Sequence, residues 1–326
     1  MSERPPVGFV LGSHMPPDRI VRTARRAEEL GFGELWFSED CFFTGAFAGI
    51  AAAMAATREL PVGLGVASAV TRHPALLAME CATLSRLHPG RFRPGVGLGV
   101  PFWLRQMGLM PRSPLGAVEE CVDSLRRLFS GEELSRAGLF TFDNVALTHR
   151  PEEELPVFLG MVGPKGLELS GRIADGSVLS VLAGVDYVRW ARERIADGAV
   201  AAGRESAPHR VATYVLYSVD GDGAAAREAV REATAFYLEA MPDNALSEVY
   251  GIQPQLQELL AAGGLVDDLP PAWIDDLAVA GDPDEVADRI RRLLDAGSDS
   301  VCLWLFPLDR GEEVLGLTAR EVLPKL

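Results

Sequence analysis

The chain has 326 residues, 48% of them hydrophobic, and is therefore long enough to bury a large core. It carries 31 Lys and Arg against 46 Asp and Glu, a formal net charge of −15. This balance argues against a nucleic-acid-binding protein, which would present a basic face, and otherwise indicates good solubility.

The cysteines and the N-terminal sequence bear on the cellular compartment. The four cysteines are far apart and form no CxxC pair, which favours reduced thiols over disulfides or a zinc site. Residues 1–12 lack the apolar run of a signal peptide. No segment approaches the ~20 apolar residues of a transmembrane helix. We therefore expect a cytoplasmic protein that binds neither membranes nor nucleic acids.

Short apolar runs alternate with amphipathic helical patterns along the chain. Eight runs are typical of strands buried on both faces: Val7–Gly12, Glu34–Ser38, Pro61–Ala69, Arg91–Gly99, Pro156–Val162, Ser177–Leu182, Val211–Val219 and Val301–Phe306. The helical patterns are Met15–Leu30, Ala46–Thr57, Pro74–Leu87, Leu115–Phe129, Pro164–Ile173, Tyr187–Ala202, Ala224–Leu238, Pro283–Ala296 and Arg310–Val322. This alternation predicts an α/β fold, either a doubly wound sheet or a closed (β/α)8 TIM barrel. Eight repeats in a chain of this length favour the barrel.

Two stretches interrupt the alternation. Residues 130–155 contain Leu139–Phe142 and Val145–Leu147, which we interpret as a small hairpin between the fourth and fifth barrel units. The segment Met241–Val279 is rich in Leu, Pro and Asp, and we interpret it as an inserted helical lid or packing segment. Neither is large enough for a separate domain, so we expect one domain, 1–326.

The active site of a TIM barrel lies at the C-terminal ends of its strands, so the residues that follow each run are the candidates. Gly163-Pro164-Lys165-Gly166 follows the fifth run and opens a helix. Unpaired backbone N–H groups and the helix dipole favour an anion such as phosphate there, and Lys165 adds a charge. The alternative is an ordinary turn with a solvated lysine.

Two acidic residues follow the second run. Glu39 and Asp40 are adjacent, so in an extended chain their side chains diverge, and they are not an acid/base pair by spacing. One can accept a hydrogen bond from a ring N–H at the barrel mouth while the other transfers a proton. Alternatively, both are solvated turn residues.

The remaining strand ends carry a cation, a histidine and several aromatic residues. Arg72 is expected to orient a ligand or to pair with an acid, whereas His73 is more typical of a packed or capping histidine. Trp103, Trp304 and Phe306 either line an apolar pocket or belong to the core.

Four sequence blocks together resemble the motifs of the luciferase-like superfamily. They read EELGFGELWFSEDCF at 28–42, TRHPALLAMECATLSRLHPGRFRPGVGLG at 71–99, FWLRQMGL at 102–109 and PVFLGMVGPKGLELSGRIADGSVL at 156–179. They are most similar to the coenzyme F420-dependent branch, which includes methylenetetrahydromethanopterin reductases and F420-dependent glucose-6-phosphate dehydrogenases. The resemblance covers about residues 7–185 and, more loosely, the last strand and helix, but not the insertion 241–279.

The resemblance implies a barrel that holds a deazaflavin or flavin at its C-terminal mouth, and a homodimer. It implies a non-prolyl cis peptide at Gly65–Val66, in a bulge that packs against the cofactor ring. Glu39 matches the family's hydrogen-bonding acid. The resemblance also assigns to cofactor binding Ser68 after the bulge and Gly163, Pro164, Gly166 and Leu167 at the phosphate, and we include the neighbouring Ala67 and Lys165 as candidates.

Two departures from the family pattern bear on the reaction. A frequent histidine after strand two is Asp40 here, and the glutamate of the glucose-6-phosphate enzymes corresponds to Val100. The acid/base pair of sugar oxidation is therefore missing, so we expect hydride transfer to an imine, an iminium or a conjugated C=C. Glu39 and Asp40 are the candidate catalytic residues. An aspartate acts as a proton relay only if burial raises its pKa.

Other functions remain open from the sequence. The main expectation is an F420-dependent oxidoreductase acting on a small organic molecule, selected by side chains such as Phe42, Trp103 and Trp304. One alternative is an FMN-dependent luciferase-like monooxygenase, and another is a barrel that binds a cofactor without turnover. A metal-dependent hydrolase is disfavoured because the sequence has no clustered His and Asp ligand pattern.

Overall fold

A computed structural model describes residues 5–326 of the chain. Its strands are β1 Val7–Leu11, β2 Glu34–Phe37, β3 Val62–Leu64, β4 Ala67–Ser68, β5 Phe92–Arg93, β6 Gly95–Gly97, β7 Leu134–Arg136, β8 Phe142–Val145, β9 Phe158–Gly160, β10 Gly176–Leu179, β11 Arg210–Val219, β12 Val279–Gly281 and β13 Ser300–Leu305. Each of the eight predicted runs overlaps a strand, and β10, β11 and β13 begin one residue earlier than predicted.

The fold is α/β, with a curled parallel sheet. The strand order is β4-β6-β9-β10-β11-β13-β1-β2-β3-β5, with β12 beside β11. Every strand pair in this sheet is parallel, as expected when helical connections return the chain to the same end. The carboxyl ends of consecutive strands therefore meet along one edge.

Two predicted strands are interrupted. Gly65 and Val66 separate β3 from β4, and Pro94 separates β5 from β6. The pairing nevertheless continues across both interruptions, because β3 pairs with β5 and β4 pairs with β6.

The helices are α1 Ile20–Glu29, α2 Ala46–Ala56, α3 Pro74–Leu87, α4 Pro101–Gln106, α5 Pro114–Ser130, α6 Pro164–Ile173, α7 Val185–Ala201, α8 Gly223–Ala240, α9 Ala245–Glu248, α10 Gln253–Ala262, α11 Pro271–Leu277, α12 Pro283–Asp295 and α13 Gly311–Leu317. The predicted bounds of α3 and α6 are confirmed, because proline at the first helical position marks both starts. The first predicted helix begins later, at Ile20, after a 3-10 turn over Pro17–Arg19.

The hairpin in residues 130–155 is present with different strands from those predicted. β7 pairs with β8 in antiparallel orientation, whereas Leu139 lies in the connection. The Glu120 carboxylate accepts hydrogen bonds from the backbone N–H groups of Leu139 and Phe140, both at 3.0 Å. This anchor holds the connection against α5, and the apolar residues predicted as the first strand of the hairpin lie mostly in this connection.

The segment 241–279 contains α9, α10 and α11 and leads into β12, which the sequence pattern did not predict. β12 pairs Val279–Gly281 with Tyr217–Val219 at the end of β11. Helix α8 precedes this segment, and its Tyr237 packs edge-on against Trp304 of β13, with ring centroids 6.2 Å apart. The chain beyond β11 therefore reaches the carboxyl end of β13.

A buried acidic residue joins four strands at their amino-terminal end. Glu34, the first residue of β2, is 2% exposed. Its carboxylate pairs with Arg93 and, at 2.9 Å, with Arg210. It also accepts hydrogen bonds from Trp36 Nε1 at 2.9 Å and from Ser300 Oγ at 2.5 Å. Buried charge is tolerated there because every carboxylate oxygen has a partner.

Two simpler predictions concern the cysteines and the membrane. Cys81 and Cys121 lie in helices and Cys302 in a strand, as predicted, and all four cysteines have free thiols. Within residues 5–326, no helix combines the length and the apolar content needed to cross a bilayer.

Candidate active site

Polar side chains from the ends of β1 and β2 meet at the carboxyl edge of the sheet. Ser13 Oγ donates a hydrogen bond to Asp40 Oδ2 at 2.5 Å, and Ser38 Oγ accepts one from the Ser13 N–H at 2.9 Å. Burial raises the pKa of Asp40, and the hydrogen bonds from Ser13 and Ser38 and the nearby His14 only partly offset this. Asp40 therefore retains a proton at higher pH than an ordinary aspartate does.

A stacked pair of rings lies beside Asp40. The His14 imidazole stacks on the Trp304 indole, with centroids 5.4 Å apart and planes 11° from parallel. Gly12 permits this approach, because a Cβ there would lie 2.7 Å from His14 Cε1 and 2.8 Å from the Trp304 ring. Burial lowers the pKa of His14, while the Asp40 carboxylate opposes this shift. At neutral pH the ring is therefore mostly uncharged.

Glu39 faces away from Asp40, as the extended backbone predicted. Its two carboxylate oxygens accept hydrogen bonds from Arg72 at 2.7 and 2.8 Å. Arg72 also lies 3.4 Å from Glu80 and over the Phe47 ring, 5.0 Å from its centroid. The expectation that Arg72 pairs with an acid is confirmed, and Glu39 already has a strong partner.

The peptide bond Gly65–Val66 is cis, as the resemblance implied. A Cβ at Gly65 would lie 2.1 Å from the Tyr214 hydroxyl, so only glycine fits. The side chain of Val66 occupies space left by two other glycines, because a Cβ at Gly97 or at Gly160 would lie 2.6 or 2.8 Å from it. The peptide bond Cys41–Phe42 is also cis, which the sequence did not indicate.

The residues after this bulge form the short strand β4. Ala67 is fully buried. Ser68 Oγ donates a hydrogen bond to the Leu98 carbonyl at 2.6 Å. The predicted cofactor-binding hydroxyl therefore links two neighbouring strand ends.

The predicted phosphate turn opens α6. Gly163 is the N-cap, and a Cβ added at this residue would meet no other atom within 4 Å. Its carbonyl accepts the N–H groups of Gly166 and Leu167 at 3.1 and 3.0 Å. Pro164 has no N–H, and the exposed Lys165 supplies the ammonium group at this turn. Leu167 is buried and anchors the helix in the core.

The three predicted pocket residues lie at different depths. Phe42 is 68% exposed, and Trp103 lies in α4, edge-on to Phe43 with centroids 6.3 Å apart. Trp304 is 6% exposed and belongs to the floor of the site instead of its rim. Neither the Trp304 indole N–H nor the Tyr214 hydroxyl has a hydrogen-bond partner within residues 5–326.

His73 has the structural role expected of it. Its Nδ1 accepts the Ala75 N–H at 3.2 Å and caps α3, and its ring packs on Phe142 with centroids 4.7 Å apart.

This site also contains residues that were not predicted from the sequence. Ser13 and His14 follow β1 directly and could have been found by applying the strand-end rule to the first strand. Tyr214, inside β11, and Tyr237, in α8, carried no such signal.

Residues 4–300 match the family model described as "Luciferase-like monooxygenase". This chain belongs to that family.

Similar proteins extend over nearly the whole chain. A 5,10-methylenetetrahydromethanopterin reductase of Methanolobus tindarius is 27% identical, over 94% of this chain and 96% of its own. An F420-dependent glucose-6-phosphate dehydrogenase of Nakamurella multipartita is 27% identical, over 99% and 97%. The solved structure of the coenzyme F420-dependent tetrahydromethanopterin reductase of Methanopyrus kandleri superposes with a TM-score of 0.87, at 26% identity and 99% coverage of both chains.

Proposed function

We propose that this protein is an F420-dependent oxidoreductase that transfers a hydride between the deazaflavin and a small organic substrate with an imine or conjugated C=C. The observation that carries the proposal is the end-to-end similarity to proteins named as F420-dependent. When bound, the cofactor supplies the hydride for reduction of the substrate and accepts a hydride in the reverse reaction. The residues of this chain bind the cofactor, orient the substrate and supply the proton.

The residues present fit such a cofactor. The open space at Gly163 and the ammonium group of Lys165 suit a phosphate at the start of α6, with Pro164, Gly166 and Leu167 shaping the turn. The bulge Gly65, Val66 and Ala67, with Ser68, is proposed to lie against the ring. Glu39, which Arg72 holds in place, is the proposed acceptor for a ring N–H.

The protein's part in the chemistry is positioning and proton control. Asp40 is the proposed catalytic carboxyl group, since burial raises its pKa and Ser13 holds it in place, so that it can exchange a proton with a neighbouring group of the site. Phe42, Trp103 and Trp304 are proposed to bind the apolar parts of the substrate and to exclude water.

We also infer a closed (β/α)8 TIM barrel in a single domain, 1–326, with insertions at about 130–155 and 241–279. β3 with β4, and β5 with β6, form two interrupted strands, and their mutual pairing joins both ends of the strand order. A cytoplasmic homodimer is the proposed form of the protein, with no nucleic-acid or membrane partner.

FMN is the second candidate cofactor, because the same turn suits its phosphate and the family includes monooxygenases. The test is equilibrium titration of the purified protein with coenzyme F420 and with FMN, followed by fluorescence. Tight F420 binding with weak FMN binding is the expected result. The reverse result would move the protein to the flavin monooxygenases. F420 binding without turnover of any imine or enone would indicate a non-catalytic barrel.

A further inference from the structure

The ring of His14 lies in the site with both nitrogens available. It stacks on Trp304 through its face, and neither nitrogen makes a hydrogen bond within the described residues 5–326. The ring is half-buried, so a substrate on the floor formed by Trp304 can reach its edge. His73, by contrast, uses both ring nitrogens in contacts with backbone groups.

The charged and polar groups around His14 favour a role for its ring as a proton carrier. Asp40 is the charged group that acts on the ring, and it is itself held by Ser13 at 2.5 Å. Glu39 pairs with Arg72, and its charge still adds to the rise in the pKa of Asp40. Tyr214 and Tyr237 also face Asp40, and burial raises the pKa of both, so they stay uncharged. A positive ring can therefore form only with the support of Asp40.

We propose, on the basis of the function proposed above, that His14 donates the proton to the substrate atom beside the carbon that accepts the hydride, and that Asp40 stabilises the charged ring. In the reduction of a neutral C=N, hydride adds to carbon and the π electron pair moves to nitrogen. A new N–H bond forms as the His14 N–H bond breaks. The substrate gains two electrons, the deazaflavin loses two, and solvent returns the proton to His14.

This assignment changes the range of possible substrates. A site without a proton donor is restricted to cations such as an iminium, which need only a hydride. With His14 as the acid, neutral imines and enones are also substrates. In the reverse direction, the neutral ring removes the proton, and its lowered pKa keeps it in that form at neutral pH.

The first experiment compares two probes at mildly acidic pH, where His14 can take up a proton. 2-Cyclohexenone has no basic nitrogen and needs a proton as well as a hydride, whereas the N-methyl-3,4-dihydroisoquinolinium salt needs only the hydride. With F420-loaded enzyme, His14→Gln should lower turnover of the neutral enone about 100-fold, the usual contribution of a positioned acid. Turnover of the iminium salt and F420 affinity should stay close to the wild-type values. The control is His149→Gln, which makes the same change at an exposed histidine that belongs to none of the candidate site residues.

An equal loss on both probes would overturn the proposal, because it would mean that His14 only packs on Trp304. Loss of F420 binding in His14→Gln would also overturn it, by making the ring a cofactor contact. Failure of the wild-type protein to bind F420 would instead count against the proposed function.

A second experiment needs no substrate and tests the pair directly. NMR titration follows the imidazole signals of the five histidines, with His14→Gln to assign the signal of His14. In Asp40→Asn the pKa of His14 should fall further, because Asp40 is the group that raises it. An unchanged pKa of His14 would overturn the proposed pair.

Discussion

The guanidinium of Arg72 binds both carboxylate oxygens of Glu39, at 2.7 and 2.8 Å. The pair joins the loop after β2 to the loop after β4, and the two side chains are only 24% and 13% exposed. A bidentate pair with this much burial fixes both loops at the rim of the site.

Removing the cation from this pair should destabilise the protein. Arg72→Gln leaves the Glu39 carboxylate largely buried without its partner. We expect the free energy of unfolding in urea to fall by about 2 kcal/mol, less than for a fully buried pair. Arg22→Gln is the control, because Arg22 and Glu312 are 67% and 64% exposed, and exposed pairs contribute at most about 1 kcal/mol. Equal losses in the two variants would contradict the assigned burial.

A negative charge at the start of α6 should weaken cofactor binding. Gly163 has open space where a side chain would begin, so Gly163→Asp and Gly163→Asn both fit. Repulsion between a carboxylate and a phosphate should lower F420 affinity at least about tenfold, or 1.4 kcal/mol, in the aspartate variant. The asparagine variant should lose much less. Fluorescence titration compares them, and unchanged affinity in Gly163→Asp would place the phosphate elsewhere.

The contact between Gly65 and Tyr214 predicts that Gly65→Ala destabilises the protein and that Tyr214→Phe restores part of the lost stability. In Gly65→Ala the new methyl group would lie 2.1 Å from the Tyr214 hydroxyl and 2.9 Å from Cζ. We expect a loss of about 2 kcal/mol in unfolding free energy. Tyr214→Phe alone should cost little, because the hydroxyl has no partner within residues 5–326. In the double variant, removal of the hydroxyl should restore part of the loss, whereas purely additive losses would rule out this contact.

A partly buried histidine away from the site, His209, should make stability depend on pH. Burial lowers the pKa of His209 from 6.5 to about 4, and its Nε2 lies 2.9 Å from Ser177 Oγ. The unfolded chain takes up the proton near pH 6.5 and the folded chain only near pH 4, so stability falls as the pH drops through this window. The largest loss is about 3 kcal/mol.

His209→Gln removes this titration and should flatten the dependence of unfolding free energy on pH between 7 and 4.5. Urea denaturation at several pH values measures it. His149→Gln, at an exposed position, is the matched control and should keep the wild-type slope. A parallel slope in the His209 variant would mean that other groups cause the acid sensitivity.

Local sequence patterns predicted the regular elements because each depends on neighbouring residues. Proline at the first helical position set the starts of α3 and α6, and apolar runs marked the eight strands. Strand β12 was missed because its three residues depend on pairing with Tyr217–Val219, about 60 residues earlier in the chain. The strands of the hairpin were predicted wrongly, because Leu139 and Phe140 lie in the connection, where the Glu120 carboxylate accepts hydrogen bonds from their N–H groups.

Those residues of the site that lie next to a strand in the sequence were also predicted. Glu39, Asp40 and the turn at Gly163 follow strands and carry recognisable residue types. The ring cluster of His14, Tyr237 and Trp304 joins three distant parts of the chain, and no spacing rule relates them. Tyr214 could not be identified either, because its role depends on the close approach of Gly65, which lies in the bulge between β3 and β4.

The buried carboxylate of Glu34 lies at the opposite end of the strands from Asp40 and His14. It ties together side chains from β2, β5, β11 and β13 without involving any loop that follows a strand. This part of the scaffold is therefore held together by residues that take no part in the proposed ligand site. Substitutions at the carboxyl ends of the strands leave the contacts of Glu34 in place, so substrate preference can change there while this ion-pair cluster is retained.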